Sequence, residues 1–297
     1  MINTIYMKNI LSILMLSLCA TFVACSDSDG GDGNPDGGNS VYVPLPGRKV
    51  ASVKTTSKIN GRDYSWEHKF TYDAQGRIKE INSEIVHHRE YNYKFFRCNM
   101  SSNAKYRFNG NELEIEYSVA RIYPDEPLMN SKENGKDRGA FNQAGVLSKF
   151  DLADFVYSGT SLNEAYFETG ERFEIKHERG NVVGYVVYDI ADDKVKADFS
   201  HKYGYSSLKN KTNFDFSGYF GCWGVESNIY ATRMPYYASY QLAAFGMLGA
   251  TSTHLPISVY NEETNMYEYG TWEFDSKDCP ISYTDPSGRK TTITYVD

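Results

Sequence analysis

The sequence predicts a mainly β protein: an antiparallel meander curled into an open half-barrel or twisted sheet, with one or two short helices, over 214–220 and 235–248, packed on it. Three observations carry that expectation. Aromatic residues make up 15% of the 297 positions, 25 of them Tyr, and such side chains suit a pleated, half-buried surface. Leu113, Ile115 and Tyr117 alternate strictly with Glu112, Glu114 and Glu116, the period of a strand with one buried face. A grammar of aromatic or apolar residue, Asn/Asp/Ser, Gly and apolar residue returns at intervals of roughly 15 to 40 residues, which marks strands bounded by tight turns.

Residues 1–24 read as a secretory signal, with Lys8 ahead of an apolar run from Ile10 to Ala20 broken only by two Ser. That run is too short to span a bilayer. It ends in Phe22-Val-Ala-Cys25, which resembles the lipobox of bacterial lipoproteins, where a small residue precedes a Cys that is diacylated and becomes the mature N-terminus; Phe22 stands where Leu is usual. Residues 26–39 offer no side chain able to build a core, so 25–40 are expected to be the lipidated Cys and a disordered acidic tether. The tether's reach is on the order of 20 Å. Ser and Asp directly after Cys25 also resemble the surface-export signal of Bacteroidetes lipoproteins, which implies the outer face of the outer membrane. Acyl burial at about 0.8 kcal/mol per methylene makes two or three chains a lasting anchor.

The folded part is expected to be one β-repeat domain over 41–297. Asn60-Gly61 is a two-residue hairpin signal because a type I′ turn needs positive φ at both positions, so strands are expected over 48–59 and 62–72. Tyr72-Asp-Ala-Gln-Gly-Arg77 then turns the chain into a third strand ending near Glu84. The turn grammar recurs from Phe108, Phe141, Phe155, His177 and Phe274. Each unit is a hairpin too small to bury its own face alone. Pro235 can open a helix, and 236–248 are apolar nearly all round, so this segment is expected to cover the concave face of the sheet, with Phe214–Phe220 as a second helical turn.

The Tyr-Asp-x-x-Gly-Arg-Ile form at Tyr72–Ile78 resembles the tyrosine-aspartate repeats of bacterial surface and toxin-shell proteins. With Lys211–Phe216, Leu248–Pro256 and the closing Ile281-Ser-Tyr and Thr291–Tyr295, nearly everything after the tether is similar to Bacteroidetes lipoproteins of unknown function built from degenerate repeats. The resemblance implies a fold and an address, and no activity or catalytic residues.

The formal charge is −7 with 31 Lys and Arg against 38 Asp and Glu. No basic stripe is present to neutralise phosphates, so nucleic acid is not an expected partner. His87 and His88 are adjacent on a strand and point to opposite faces, which prevents them from sharing one ion. His254 reads as a loop residue, and Asp189 with Asp192 and Asp193 as a polar turn lacking the distal Glu of a Ca²⁺ cage. No metal or cofactor is expected. Cys98, Cys222 and Cys279 remain after Cys25 is spent on lipid, an odd set with three pairings. No nucleophile triad or facing carboxylate pair can be assigned, so no catalytic residue is expected. Trp66, Trp223 and Trp272 could stack on sugar faces. The leading expectation is a surface-tethered binding or scaffold lipoprotein, anchored to the membrane through Cys25, whose ligand is a glycan, a peptide or an envelope protein. The alternatives are an extracellular glycan-acting hydrolase and a purely structural or adhesive repeat protein.

Overall fold

The computed structural model describes residues 41–91, 94–151, 153–168, 170–220, 241–249, 252–261 and 264–297. Strands form where alternation met turn signals. They are β1 (Val50–Ile59), β2 (Arg62–Tyr72), β3 (Ile78–Tyr91), β4 (Lys94–Asn109), β5 (Glu112–Ile122), β6 (Ser131–Phe141), β7 (Leu147–Phe150), β8 (Ala153–Ser158) and β9 (Ser161–Phe167). They continue as β10 (Glu171–Glu178), β11 (Asn181–Asp189), β12 (Val195–Phe199), β13 (Tyr203–Lys209), β14 (His254–Asn261), β15 (Met266–Tyr269), β16 (Thr271–Phe274), β17 (Pro280–Thr284) and β18 (Lys290–Tyr295). Asn60 and Gly61 take φ of 51° and 77° and join β1 to β2. The third strand runs past Glu84 to Tyr91, because its polar second half pairs in unbroken register with the 16-residue β4.

The Asp73 turn explains the repeat. Asp73 Oδ1 accepts from the amides of Gln75 (3.0 Å) and Arg77 (2.9 Å), its own amide donates to the Arg77 carbonyl, and Gly76 supplies the left-handed residue at φ 82°. A bulge between Thr71 and Tyr72 completes the turn. The same five-residue device is built on Asn142, Asp275 and Asp285. Arg77 folds back to Asp73 at 2.6 Å and lies over the Phe108 ring at 4.8 Å, almost wholly buried. Arg289 makes the same bond to Asp285 at 2.8 Å but is half-exposed. Asp73→Ala should therefore cost about 2 kcal/mol in urea unfolding, since a buried charged donor loses its acceptor. Asp285→Ala should cost about 1 kcal/mol or less, because water replaces the lost acceptor.

Fifteen strands form one open antiparallel sheet in the order β12 back to β1, then β18, β17 and β16. The expected meander thus has a seam, with the first strand of the domain paired to its last. β13, β14 and β15 form a separate three-stranded sheet. β11 and β16 lie thirteen steps apart in the large sheet, roughly 60 Å if it were flat. Yet the segment around β14 bonds to both: Thr253 N to the Gly180 carbonyl (3.2 Å), and the Trp272 indole to the Pro256 carbonyl (2.7 Å). The large sheet is therefore curled into an incomplete barrel, and the small sheet bridges its gap.

The inner face and what fills it make one hydrophobic cluster, from Val50 and Phe70 through Leu113, Phe150 and Phe173 to Ile293. The filling comes from the chain between β13 and β14. A short helix α1 (Phe216–Tyr219) and helical residues 241–244 bring Phe214, Phe216, Leu242 and Met247 to full burial. Residues 235–240 of the expected second helix lie outside the described residues. Tyr42, ahead of the first strand, is stacked on Phe108 and Phe141 at 5.2 and 5.3 Å, its hydroxyl donating to the Phe245 carbonyl.

The outer face is charged. Glu114 meets Arg107, Lys136 and Arg138 at 2.9 to 3.5 Å, Glu67 meets Lys54 at 3.1 Å, and Arg172 meets Glu164 and Asp193. A barrel that crosses a bilayer needs an apolar outer band. This sheet has the opposite polarity, apolar within and ionic outside, and its outer face is made for water.

Candidate functional site

Of the residues the sequence singled out, Trp66 sits on the inner face of β2, half-buried, with its ring 6.2 Å from that of Tyr64. Trp272 departs from the expectation of an open platform. It is 9% exposed, packed against Tyr283 at 4.5 Å and Phe216 at 5.2 Å, so its ring serves the core that faces the bridging sheet. Cys25, Cys222 and Trp223 lie outside the described residues. Cys98 and Cys279 are free, buried thiols and are not bonded to one another. His254 accepts or donates at Nδ1 with Thr253 Oγ1 (2.8 Å), while its amide donates to Asn181 Oδ1 (3.0 Å). Among the described residues, no three His, Cys, Asp or Glu side chains gather where they could hold a metal ion.

One buried carboxyl stands apart. Asp215 caps α1 and is wholly enclosed, and burial pushes it up to about 6 despite the bonds it accepts from the Ser217 amide (2.9 Å), the Ser217 hydroxyl (2.7 Å) and the Ser252 amide (3.2 Å). Ser217 Oγ also lies 2.9 Å from Ser252 Oγ, which is 3.1 Å from the Tyr205 hydroxyl and accepts from the Val182 amide at 3.1 Å. This chain ties the filling to β11 and the bridging sheet. The raised pKa of Asp215 has a structural cause, desolvation, in a residue that is 1% exposed.

An open site lies where the edge of the large sheet meets the bridging sheet. A groove of about 470 Å³ is floored by Val183, Val186 and Val195 and walled by Lys176, Glu178 and Tyr188. A second cleft of about 390 Å³, sharing Asp198, Ser200 and His201 with it, continues to Lys202, Tyr260 and Tyr267. Val183 and Val186 are buried yet stand outside the main core cluster, so the floor belongs to the outer face. The walls are held by their own bonds. Glu174 is kept below the usual carboxylate range by Lys176, with Tyr188 donating to it at 2.9 Å. Ser200 does the same for Asp198 through its hydroxyl and its amide (2.9 Å). His201 Nδ1 lies 3.4 Å from Glu178. Tyr267 donates to the His201 carbonyl at 2.6 Å, and its ring packs edge-on to Tyr260 at 5.3 Å.

No family model matches the sequence, and no curated protein matches it. Among solved structures, a porin-like protein from Bacteroides uniformis is similar at 10% identity and a TM-score of 0.45, over 85% of this chain and 100% of that one. A porin-like protein from Bacteroides vulgatus is similar at 11% identity and a TM-score of 0.29, over 84% of this chain and 99% of that one. Likeness at that level carries no inference about what this chain does.

The groove depends on β12 staying docked, and that depends on Gly184. A Cβ at this position would lie 1.8 Å from the Phe199 carbonyl oxygen, a backbone atom that cannot step aside. Gly184→Ala should release β12, seen as lost hydrogen-exchange protection over 195–199 with the remaining strands still protected. Sequence reading passed over Tyr260, Tyr267 and Tyr269. The available signal was that Tyr260 and the Met266-Tyr-Glu-Tyr269 run flank a short polar loop, an aromatic density that one three-stranded sheet cannot bury.

Proposed function

We propose that this chain is a binding or scaffold lipoprotein, held to the outer membrane by acyl chains on Cys25 and facing the cell exterior. The observation that carries the reading is the order Lys8, apolar run, Phe22-Val-Ala-Cys25, then a Gly/Asp stretch with no residue able to build a core. The structure supports the binding half. A sheet with an ionic outer face and a groove at its edge is a platform for presentation in water. Cells expressing the full chain should incorporate radioactive palmitate into it, and Cys25→Ala should take up none. Protease added to intact cells should remove the wild-type protein. Label on the Cys25→Ala chain, or full protection from protease, would defeat the proposal.

A further inference from the structure

We propose that the groove between β12 and the bridging sheet binds a neutral saccharide, with Tyr260 and Tyr267 as the stacking platform, continued beyond the groove by Tyr269 on the same face of β15, and Asp198, His201 and Lys202 as hydroxyl partners. This names the ligand class for the binding function above and rests on that reading.

Three features of the groove select this chemistry. The first is the platform. On β15, residues 267 and 269 share a face, and the register of β14 with β15 sets Tyr260 opposite Tyr267 and Ser258 opposite Tyr269, so the three rings share one side of the sheet. Tyr267 is 40% and Tyr269 67% exposed, whereas Trp66 and Trp272 are turned to the core. A tyrosine ring offers a flat apolar surface to the C–H face of a pyranose.

The second is rigidity. Tyr267 is fixed by its bond to the His201 carbonyl, and the Tyr260 hydroxyl bonds Asn265. Lys202 lies over the Phe199 ring at 4.5 Å, and its carbonyl accepts from the Tyr260 amide at 2.7 Å. Exposed rings held this way have already lost the freedom that binding would otherwise remove.

The third is charge. Around the two clefts, Lys176 and Lys202 are set against Glu178 and Asp198, with His177 and His201 between them. Neither an anion nor a cation finds a field of one sign there. A sugar hydroxyl donates and accepts at once, so it uses both kinds of partner. The small apolar floor of Val183 and Val186 is ringed mostly by polar side chains, a make-up that suits a ligand rich in hydroxyls.

The test is affinity electrophoresis of the full detergent-solubilised chain through native gels cast with galactomannan, xylan, β-1,3-glucan or starch, with gelatin as the peptide control. Retardation is expected in at least one polysaccharide gel, and Tyr267→Ala should weaken it about tenfold. Tyr267→Phe, which keeps the ring, should retain most of it, and Trp66→Phe all of it. Unchanged thermal melting shows that each variant is folded. Free migration in all four polysaccharide gels, retardation in gelatin alone, or polysaccharide binding that survives Tyr267→Ala with Tyr269→Ala would overturn the proposal. Palmitate labelling of the same protein reads the anchor separately, so loss of the groove assignment would leave the tethered lipoprotein standing, and the reverse.

Discussion

A chain ending at Arg289 should not fold. β18 lies inside the large sheet, with six register pairs to β1 from Val50–Tyr295 to Thr56–Lys290 and three to β17. It buries Ile293 and Thr291, and Tyr295 donates to the Pro280 carbonyl at 2.6 Å while lying under the Arg48 guanidinium at 4.1 Å. At about 1 kcal/mol net for each hydrogen bond, the loss is on the order of 10 kcal/mol. That equals the roughly 5–15 kcal/mol that holds a typical domain together. The expected result is insoluble protein, or soluble protein without a cooperative urea transition. A truncated chain with a sharp transition and wild-type near-ultraviolet circular dichroism would show that β16 and β17 dock without their neighbour. Removing Asp297 alone should change nothing.

The second large effect is in the pH dependence of stability, where two buried groups oppose one another. Asp215 is raised to about 6 by burial, so the folded state holds its proton more tightly than the unfolded chain. Its contribution is fully present below about pH 4 and is lost as pH rises through about 6, a change of about 3 kcal/mol at 1.36 kcal/mol per unit. His68 is lowered to about 4 by burial, beside the Ser83 hydroxyl at 2.8 Å. The folded state binds its proton less well, so stability rises between about pH 4 and 6.5, again by about 3 kcal/mol. In the wild type the two nearly cancel. Asp215→Asn should therefore gain stability steeply from pH 4 to 6.5 in urea titrations, and His68→Asn should lose it over the same window. Parallel profiles for the two variants would mean that neither group titrates in the folded protein as described.

Much of the fold was legible because local chemistry decides it. Asn60-Gly61 and the Asp73 turn each fix a hairpin within six residues, and alternation in Glu112–Tyr117 fixes which face turns inward. The seam could not be read this way. Pairing of Val53 with Ile293 spans almost the whole domain, and nothing in either strand's own pattern favours that neighbour over another. Burial was hard to read for a related reason. Trp66 and Trp272 look alike in sequence, and the second is enclosed only because the filling brings Phe216 and Phe220 against it. The groove was missed because its parts come from five strands and a turn, with Tyr188 and Tyr267 drawn from different sheets.

The placement of the filling also bears on how the chain reaches its folded state. Thirteen strands precede Phe214 in sequence, and their hairpins can zip locally in microseconds each. Until residues 214–220 and 241–248 arrive, the inner face those hairpins share has little beyond Tyr42 against it. The wall of this protein is thus synthesised before its contents, and a long half-built sheet must be kept from pairing with others in the meantime. The ionic outer face and the one-residue bulges beside the Asp73, Asn142 and Asp275 turns limit which surfaces can pair, leaving the open concavity as the site a holding chaperone would guard.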